Sequence, residues 1–372
     1  MPVEQHTLFP PPFPKDLAML PAKHFLSPAI LALLVTGAVL YAGPLNPPAG
    51  TITSTAKTLT EVEPRIAISA TNTPGDPDSV FRVSQPGSYY LTANVNGVAS
   101  KRGIEIASGG VTIDLNGFAL LGIASSLDGI GIVGSSIYDV HVKNGTVKGW
   151  GNRGLNLLDT VTRMTMVTNV QVSQCTSHGI YAADGSVITN CTANLNGGAG
   201  FVVGSGSTIS NCTSYNNTSH GFWPQFGCTI QQCAALGNAG TGILSPGGST
   251  ITNCIVRGNT SNGIQVGTDC VVSDNNCNLN GGTTANNILA TGEGNRIEGN
   301  HCNGGARGIR VDGARNAILR NTCKGNTIDW IFAANNIYGP IVDRRTPASS
   351  FVNGFAATGT MGSSDPNANY SY

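Results

Sequence analysis

The chain has 372 residues, of which 49 are glycine and only 11 % are charged, against about 25 % in an average globular protein. Its 20 basic and 20 acidic side chains cancel to a net charge of zero, which gives no long-range pull toward nucleic acid or anionic membranes and argues against both as partners. What remains is an uncharged surface rich in hydroxyls and amides.

The first element is the run Phe25 to Gly43, uncharged throughout and preceded by Lys15, Lys23 and His24. It reads as an export signal, with small residues near Ala38, Ala42 and Gly43 to provide a cleavage site. Residues 1–42 are therefore expected to be a signal peptide or, if uncleaved, an N-terminal anchor that would be the one membrane contact. Initiation at Met19 would give the signal an ordinary length. The expected location is outside the cytoplasm: secreted, periplasmic or cell-surface. Residues 43–65, rich in Pro and Thr, read as a linker. From 66 to 98 the pattern alternates as in strands and carries a Pro-Gly turn, the expectation being a cap over an open sheet edge.

The body of the chain repeats. Glycine recurs at Gly179, Gly200, Gly221, Gly242 and Gly263, cysteine at Cys191, Cys212, Cys233 and Cys254, and asparagine at Asn196, Asn217, Asn238, Asn259 and Asn280, always 21 residues apart. One such unit cannot bury its own apolar face, so neighbouring units must stack as a solenoid. Each splits into three extended runs too short for helix, with inward columns at Ile180, Phe201, Phe222, Ile243 and Ile264 and at Ile188, Ile209, Ile230, Ile251 and Val272. The fold class is therefore all-β: a single-stranded parallel β-helix, three short strands per coil, spanning residues 66–340. Coils starting at Gly103, Gly129 and Gly154 are longer and carry larger turns. The column Asn190, Asn211, Gln232, Asn253, Asp274 is expected at a sharp bend with φ > 0, with a stacked amide ladder there. The second asparagine column, Asn196 to Asn280, is placed in the connection that returns the chain to the next glycine.

Ten cysteines in an exported protein would ordinarily signal disulfides. Here four share one register, and Cys277, Cys302 and Cys323 keep the same facing if Asn275 takes the ladder position. Buried thiols are the preferred reading, with disulfides and metal binding as alternatives. Residues 341–372 are rich in Ser, Gly, Ala and Asn and read as a loose C-terminal tail.

The runs DSVFRVSQPGSYYLTANVNGV, GIEIASGGVTIDLNGFALLG and VKNGTVKGWGNRG, followed by stacked G-I-x-V and T-I-x-N-C coils, resemble the right-handed parallel β-helix repeat proteins exported by environmental bacteria, within the pectin-lyase-like group. The resemblance implies a right-handed coil. It does not imply one activity, because that group holds lyases, hydrolases, epimerases, tailspikes and adhesins.

Paired-carboxylate hydrolysis of the polygalacturonase kind is disfavoured: Ser177-His178-Gly179 and Ser219-His220-Gly221 lack flanking acids. Between Gly185 and Thr268 there is no carboxylate and Arg257 is the one formal charge, which leaves no calcium site in the central coils. A catalytic site is therefore sought in the longer coils, where Asp128, Arg153 and His178 precede successive glycines and would form an outward column of acid, cation and base. Trp150, expected outward, together with Trp223 and His220, would bind substrate. Phe226 follows Trp223 in the same unit. Asp159 and Asp184 are the candidate metal pair, and calcium the one cofactor they would admit. The expected function is an exported β-helix that binds or presents to polysaccharide at the cell envelope. The alternatives are a lyase or epimerase-type enzyme and an adhesin-like spacer.

Overall fold

The computed structural model describes residues 63–158, 163–343 and 363–372, all within one unit, Thr58–Tyr372. Among the described residues every regular element is a strand, and no helix is long and apolar enough to cross a membrane. The Phe25–Gly43 run, the signal and linker boundaries before residue 63 and Met19 lie outside the described residues.

A single coil shows how the repeat is built. After Gly179 come strands Ile180–Ala182, Val187–Thr189 and Thr192–Asn194, separated by bends whose left-handed residues are Gly185 (φ 64), Asn190 (φ 54) and Leu195 (φ 55). Each left-handed residue is followed by a small buried one: Ser186, Cys191 and Asn196. Gly and Asn tolerate this backbone region best, and the expected column is borne out at Asn190, Asn211, Gln232, Asn253 and Asp274, all with φ between 53° and 56°.

Stacking follows the repeat length. Ile180 pairs with Phe201, Phe201 with Phe222 and Phe222 with Ile243, all in parallel. The inward columns are buried, and Phe201 stacks on Phe222 at 4.9 Å between ring centroids. The longer coils also stack, with Ile104 on Ile130 and Leu155 between Ile130 and Ile180. The strands form a 13-stranded and a 24-stranded sheet.

The amide ladder forms in a different column from the one expected. Asn190 and its equivalents are mostly exposed, because a left-handed residue turns its side chain out while its successor turns inward. The ladder runs instead through Asn196, Asn217, Asn238, Asn259 and Asn280, where each Nδ2 donates to the next Oδ1 at 2.9–3.0 Å. Each Oδ1 also accepts the backbone N–H of the coil before it: Asn217 takes Asn196 N–H and Asn238 takes Asn217 N–H. The bond directions are uniform, and beyond Asn280 they continue through Asn287 and Asn326 to Asp329, an acceptor with no donor to pass on.

All ten cysteines are free and buried, so the disulfide alternative is excluded. The expected shift of register also holds: Asn275 accepts Cys254 N–H, and Cys277, Cys302 and Cys323 pair in sequence. Burial pushes the Cys175 thiol up to about 11.

Both ends differ from expectation in detail. Strands Ser79–Val83 and Gly87–Tyr90 pair in parallel with the next coil, so most of the expected cap is itself a first coil. The cover over it consists of Ile66–Ala67 on one sheet and the antiparallel Pro74–Asp76 on the other. Proline on that outer strand blunts an edge that would otherwise template pairing. At the other end the tail is not loose throughout. Asn369–Ser371 forms a strand against Thr322–Lys324, and Asn369 Oδ1 accepts from Asn321. Trp330 packs against the end of the core and donates to Ser371 Oγ at 2.7 Å.

Candidate functional site: an outward face with two aromatic stations

The candidate site is the outward face of the 13-stranded sheet. In each of these strands the residue between two inward-facing positions points out, and the register aligns Arg82, Glu105, Gly131, Asn156, Tyr181, Val202 and Trp223 as one column. The residues just before the repeat glycines form a second column beside it. It contains Arg102, Asp128, Arg153, His178, Ala199 and His220, linked by backbone bonds such as Gly129 N–H to Arg153 O and Gly154 N–H to His178 O.

The sequence therefore identified a true spatial column in Asp128, Arg153 and His178, but not the facing of its acid. Asp128 is 3 % exposed. Its Oδ1 accepts from Asn152 Nδ2 (2.8 Å) and Arg153 N–H (3.1 Å), and its Oδ2 from Asn156 Nδ2 (3.1 Å). A buried carboxylate held by three local donors, with Arg102 Nε 3.8 Å from its Oδ2, fastens two coils together and is not a free acid for chemistry. Glu105, which sequence reasoning missed, is also buried between Arg82 and Arg102. Burial raises its carboxyl, against the pull of Arg82.

Trp150 is a second correction. It occupies the expected column with Cys175 and Asn196, but that column faces the core: Trp150 is 0 % exposed and its indole N–H donates to Leu120 O at 3.2 Å. The ring fills the space left by Gly103 and Gly122, where an added Cβ would meet it at 2.7 Å.

The half-buried remainder of the face carries chemistry. The Arg153 guanidinium lies 4.5 Å over the Tyr181 ring, and among the described residues its buried Nε has no hydrogen-bond partner and no carboxylate pairs with it. His178 is 5.9 Å from Tyr181, ring to ring. Its Nδ1 accepts Ala199 N–H at 2.9 Å, so the neutral ring carries its proton on Nε2. Burial, then Arg153, lowers its pKa. His220 repeats this arrangement: its Nδ1 accepts Thr241 N–H at 3.1 Å, burial lowers its pKa, and Trp223 meets it edge-on at 5.4 Å. Tyr181 escaped the sequence reading, although its spacing from His178 matches that of Trp223 from His220. Phe226 is exposed in the bend after Trp223.

Of the metal pair, Asp159 lies outside the described residues. Asp184 is exposed and its Oδ1 accepts Ser205 N–H at 2.8 Å. Among the described residues no three His, Cys, Asp or Glu side chains converge on a metal position. A cleft of about 380 Å³ opens on the other sheet between Met164, Met166 and Val187. Its His141 bonds Thr168 Oγ1 at 3.1 Å, and the cleft has no ring to match Tyr181 or Trp223.

Residues 88–250 match the family model described as the right handed beta helix region. The chain has the right-handed parallel β-helix fold. Solved structures similar to it include the Azotobacter vinelandii mannuronan C-5 epimerase AlgE6 A-module, at 18 % identity and TM-score 0.47, covering 68 % of this chain and 89 % of that one. The Agl-KA catalytic domain is similar at 11 % identity and TM-score 0.50, covering 73 % of this chain and 60 % of that one. The Geobacillus virus E2 ORF18 protein follows at 13 % identity and TM-score 0.50, with 86 % and 66 % covered. At these identities the shared property is the β-helix fold. No curated protein matches the chain by sequence.

Proposed function

We propose that the chain is an exported β-helix protein that binds polysaccharide on the outward face of the 13-stranded sheet. The observation that carries this reading is the half-buried Arg153–Tyr181 pair beside His178. A ring offers a stacking surface to sugar C–H groups, and a guanidinium without a carboxylate partner among the described residues and an Nε2–H offer donors to hydroxyls or a carboxylate. Export rests on the uncharged Phe25–Gly43 run.

Binding without turnover is preferred to lyase or epimerase chemistry for a specific reason. A base needs a free nitrogen lone pair, and His178 spends its Nδ1 pair on Ala199 N–H while Nε2 bears the proton. Asp128 is no substitute, being buried and held by three local donors. Glycan-array binding of the purified protein, with Arg153→Ala and Tyr181→Ala as controls, tests the reading. Binding lost in both variants supports it. Calcium-dependent or calcium-independent release of unsaturated products from uronate polymers, abolished by His178→Ala, would replace it with the enzymatic one.

A further inference from the structure

The face carries one local pattern twice. Ser177-His178-Gly179-Ile180-Tyr181 and Ser219-His220-Gly221-Phe222-Trp223 have the same order of residue types, and the register places them two coils apart, Tyr181 on Val202 and Val202 on Trp223. In both, the imidazole Nδ1 is anchored by a backbone N–H of the next coil, and the aromatic ring stands beside that imidazole. The coil between them has Ala199 and Val202 at the same two positions, and Val202 is only 5 % exposed. The coil after Trp223 has Thr241 and Leu244 there. The two ring-bearing coils thus stand two apart with one bare coil between them, and the coil after Leu244 carries Asn262 and Gln265 at these positions.

The histidine role alone does not account for this pairing of imidazole and ring in two coils. Capping an amide of the next coil requires an imidazole, not an aromatic ring three residues later. Two coils correspond to roughly 9–10 Å along the stack. In an extended β-1,4-linked glycan ribbon every second residue presents the same face, so a ribbon laid along the coil axis would offer that face to each ring in turn. We propose that His178–Tyr181 and His220–Trp223 are two in-phase sugar stations, and that the polysaccharide lies parallel to the helix axis with one residue bridging over Val202. This rests on the reading of the face as a polysaccharide site. The nearby Arg153, without a carboxylate partner among the described residues, makes an acidic chain the better ligand at the first station.

The test is calorimetric titration of the full chain with β-1,4-linked mannuronate oligomers of increasing length from the dimer, with Trp223 fluorescence followed in parallel. Oligomers long enough to reach both stations are expected to bind at least tenfold tighter than the dimer. Trp223→Ala should abolish that gain, leaving the longer oligomers within about twofold of the dimer in affinity for the same variant. Moving the ring one coil, in Trp223→Leu with Leu244→Trp, should not restore the gain, because the ring would be out of phase. Unchanged thermal midpoints would show that the variants fold. If Trp223→Ala retains the gain while Tyr181→Ala abolishes binding, the second station is overturned and the site itself stands. If no oligomer binds and the fluorescence is unmoved, both are overturned.

Discussion

The longer N-terminal coils and the 21-residue central coils solve one problem with different chemistry. Every bend brings backbone N–H groups to the edge of a buried core, and each needs an acceptor. The central coils supply it with neutral repeated side chains, such as Asn217, Asn238 and Cys212, each serving the coil before it. The N-terminal coils use single charged groups instead: Asp128 serves Arg153 N–H and two amides, and Glu105 sits between two arginines. Repetition gives a ladder that any coil can extend. Irregularity gives one-off charges, and the edge of that charged zone is where Arg153 has no carboxylate partner among the described residues and lies over Tyr181.

The largest difference should appear on breaking the ladder. Asn238→Leu leaves the Asn217 backbone N–H without its acceptor inside the core and removes the ladder rungs to Asn217 and Asn259, and denaturant unfolding should show a loss of about 3–5 kcal/mol. Asp128→Ala removes an acceptor shared by three donors that partly reach solvent, so a smaller loss of about 2–3 kcal/mol is expected from the same measurement. If Asp128→Ala proves the more costly, the charged coils carry more of the stability than this comparison assigns them.

Acid provides the next test. His178 and His220 have pKa values lowered in the fold, chiefly by burial. As the pH falls, the unfolded chain takes up these protons first, near an ordinary value of about 6.5. Stability from the neutral rings is thus complete above that pH and declines as the pH drops toward the folded values. Thermal melts from pH 7.5 to 5 should show this decline, and the double variant His178→Gln, His220→Gln should flatten it. The smallest effect is expected in the thiol column. Cys212→Ser keeps an acceptor for Cys191 N–H and should change stability by no more than about 1 kcal/mol, while native protein should resist thiol reagents that label all ten cysteines after unfolding.

The sequence made the coil legible because equal spacing becomes equal position: the burial of Ile180, Phe201 and Cys191 and the left-handed bends at Asn190 and Asn211 follow from the period alone. Facing at the third bend was harder to read. Asn196 and Trp150 share a column whose polar central members point it outward on composition, yet a left-handed residue before each one, Leu195 and Gly149, turns it inward. Leucine gives no hint of that backbone. The site was half visible. Asp128, Arg153 and His178 do stack, but the hold on Asp128 depends on Asn152 and Asn156, whose directions no spacing reveals. Tyr181 was overlooked although the repeated Ser-His-Gly pattern pointed to it.

The most direct test of the stacking on which all of this depends is a distance. Thr189 and Ser273 are joined through the pairings of Ser210, Gln231 and Thr252. Four inter-strand steps of about 4.8 Å should separate them by about 19 Å. Spin labels on cysteines introduced at Thr189 and Ser273, which the buried native thiols would not compete for, should give a narrow distribution near that value, lengthening by about 5 Å for each further coil. A broad distribution, or a distance that does not grow with coil number, would contradict the stacked register and with it the two stations.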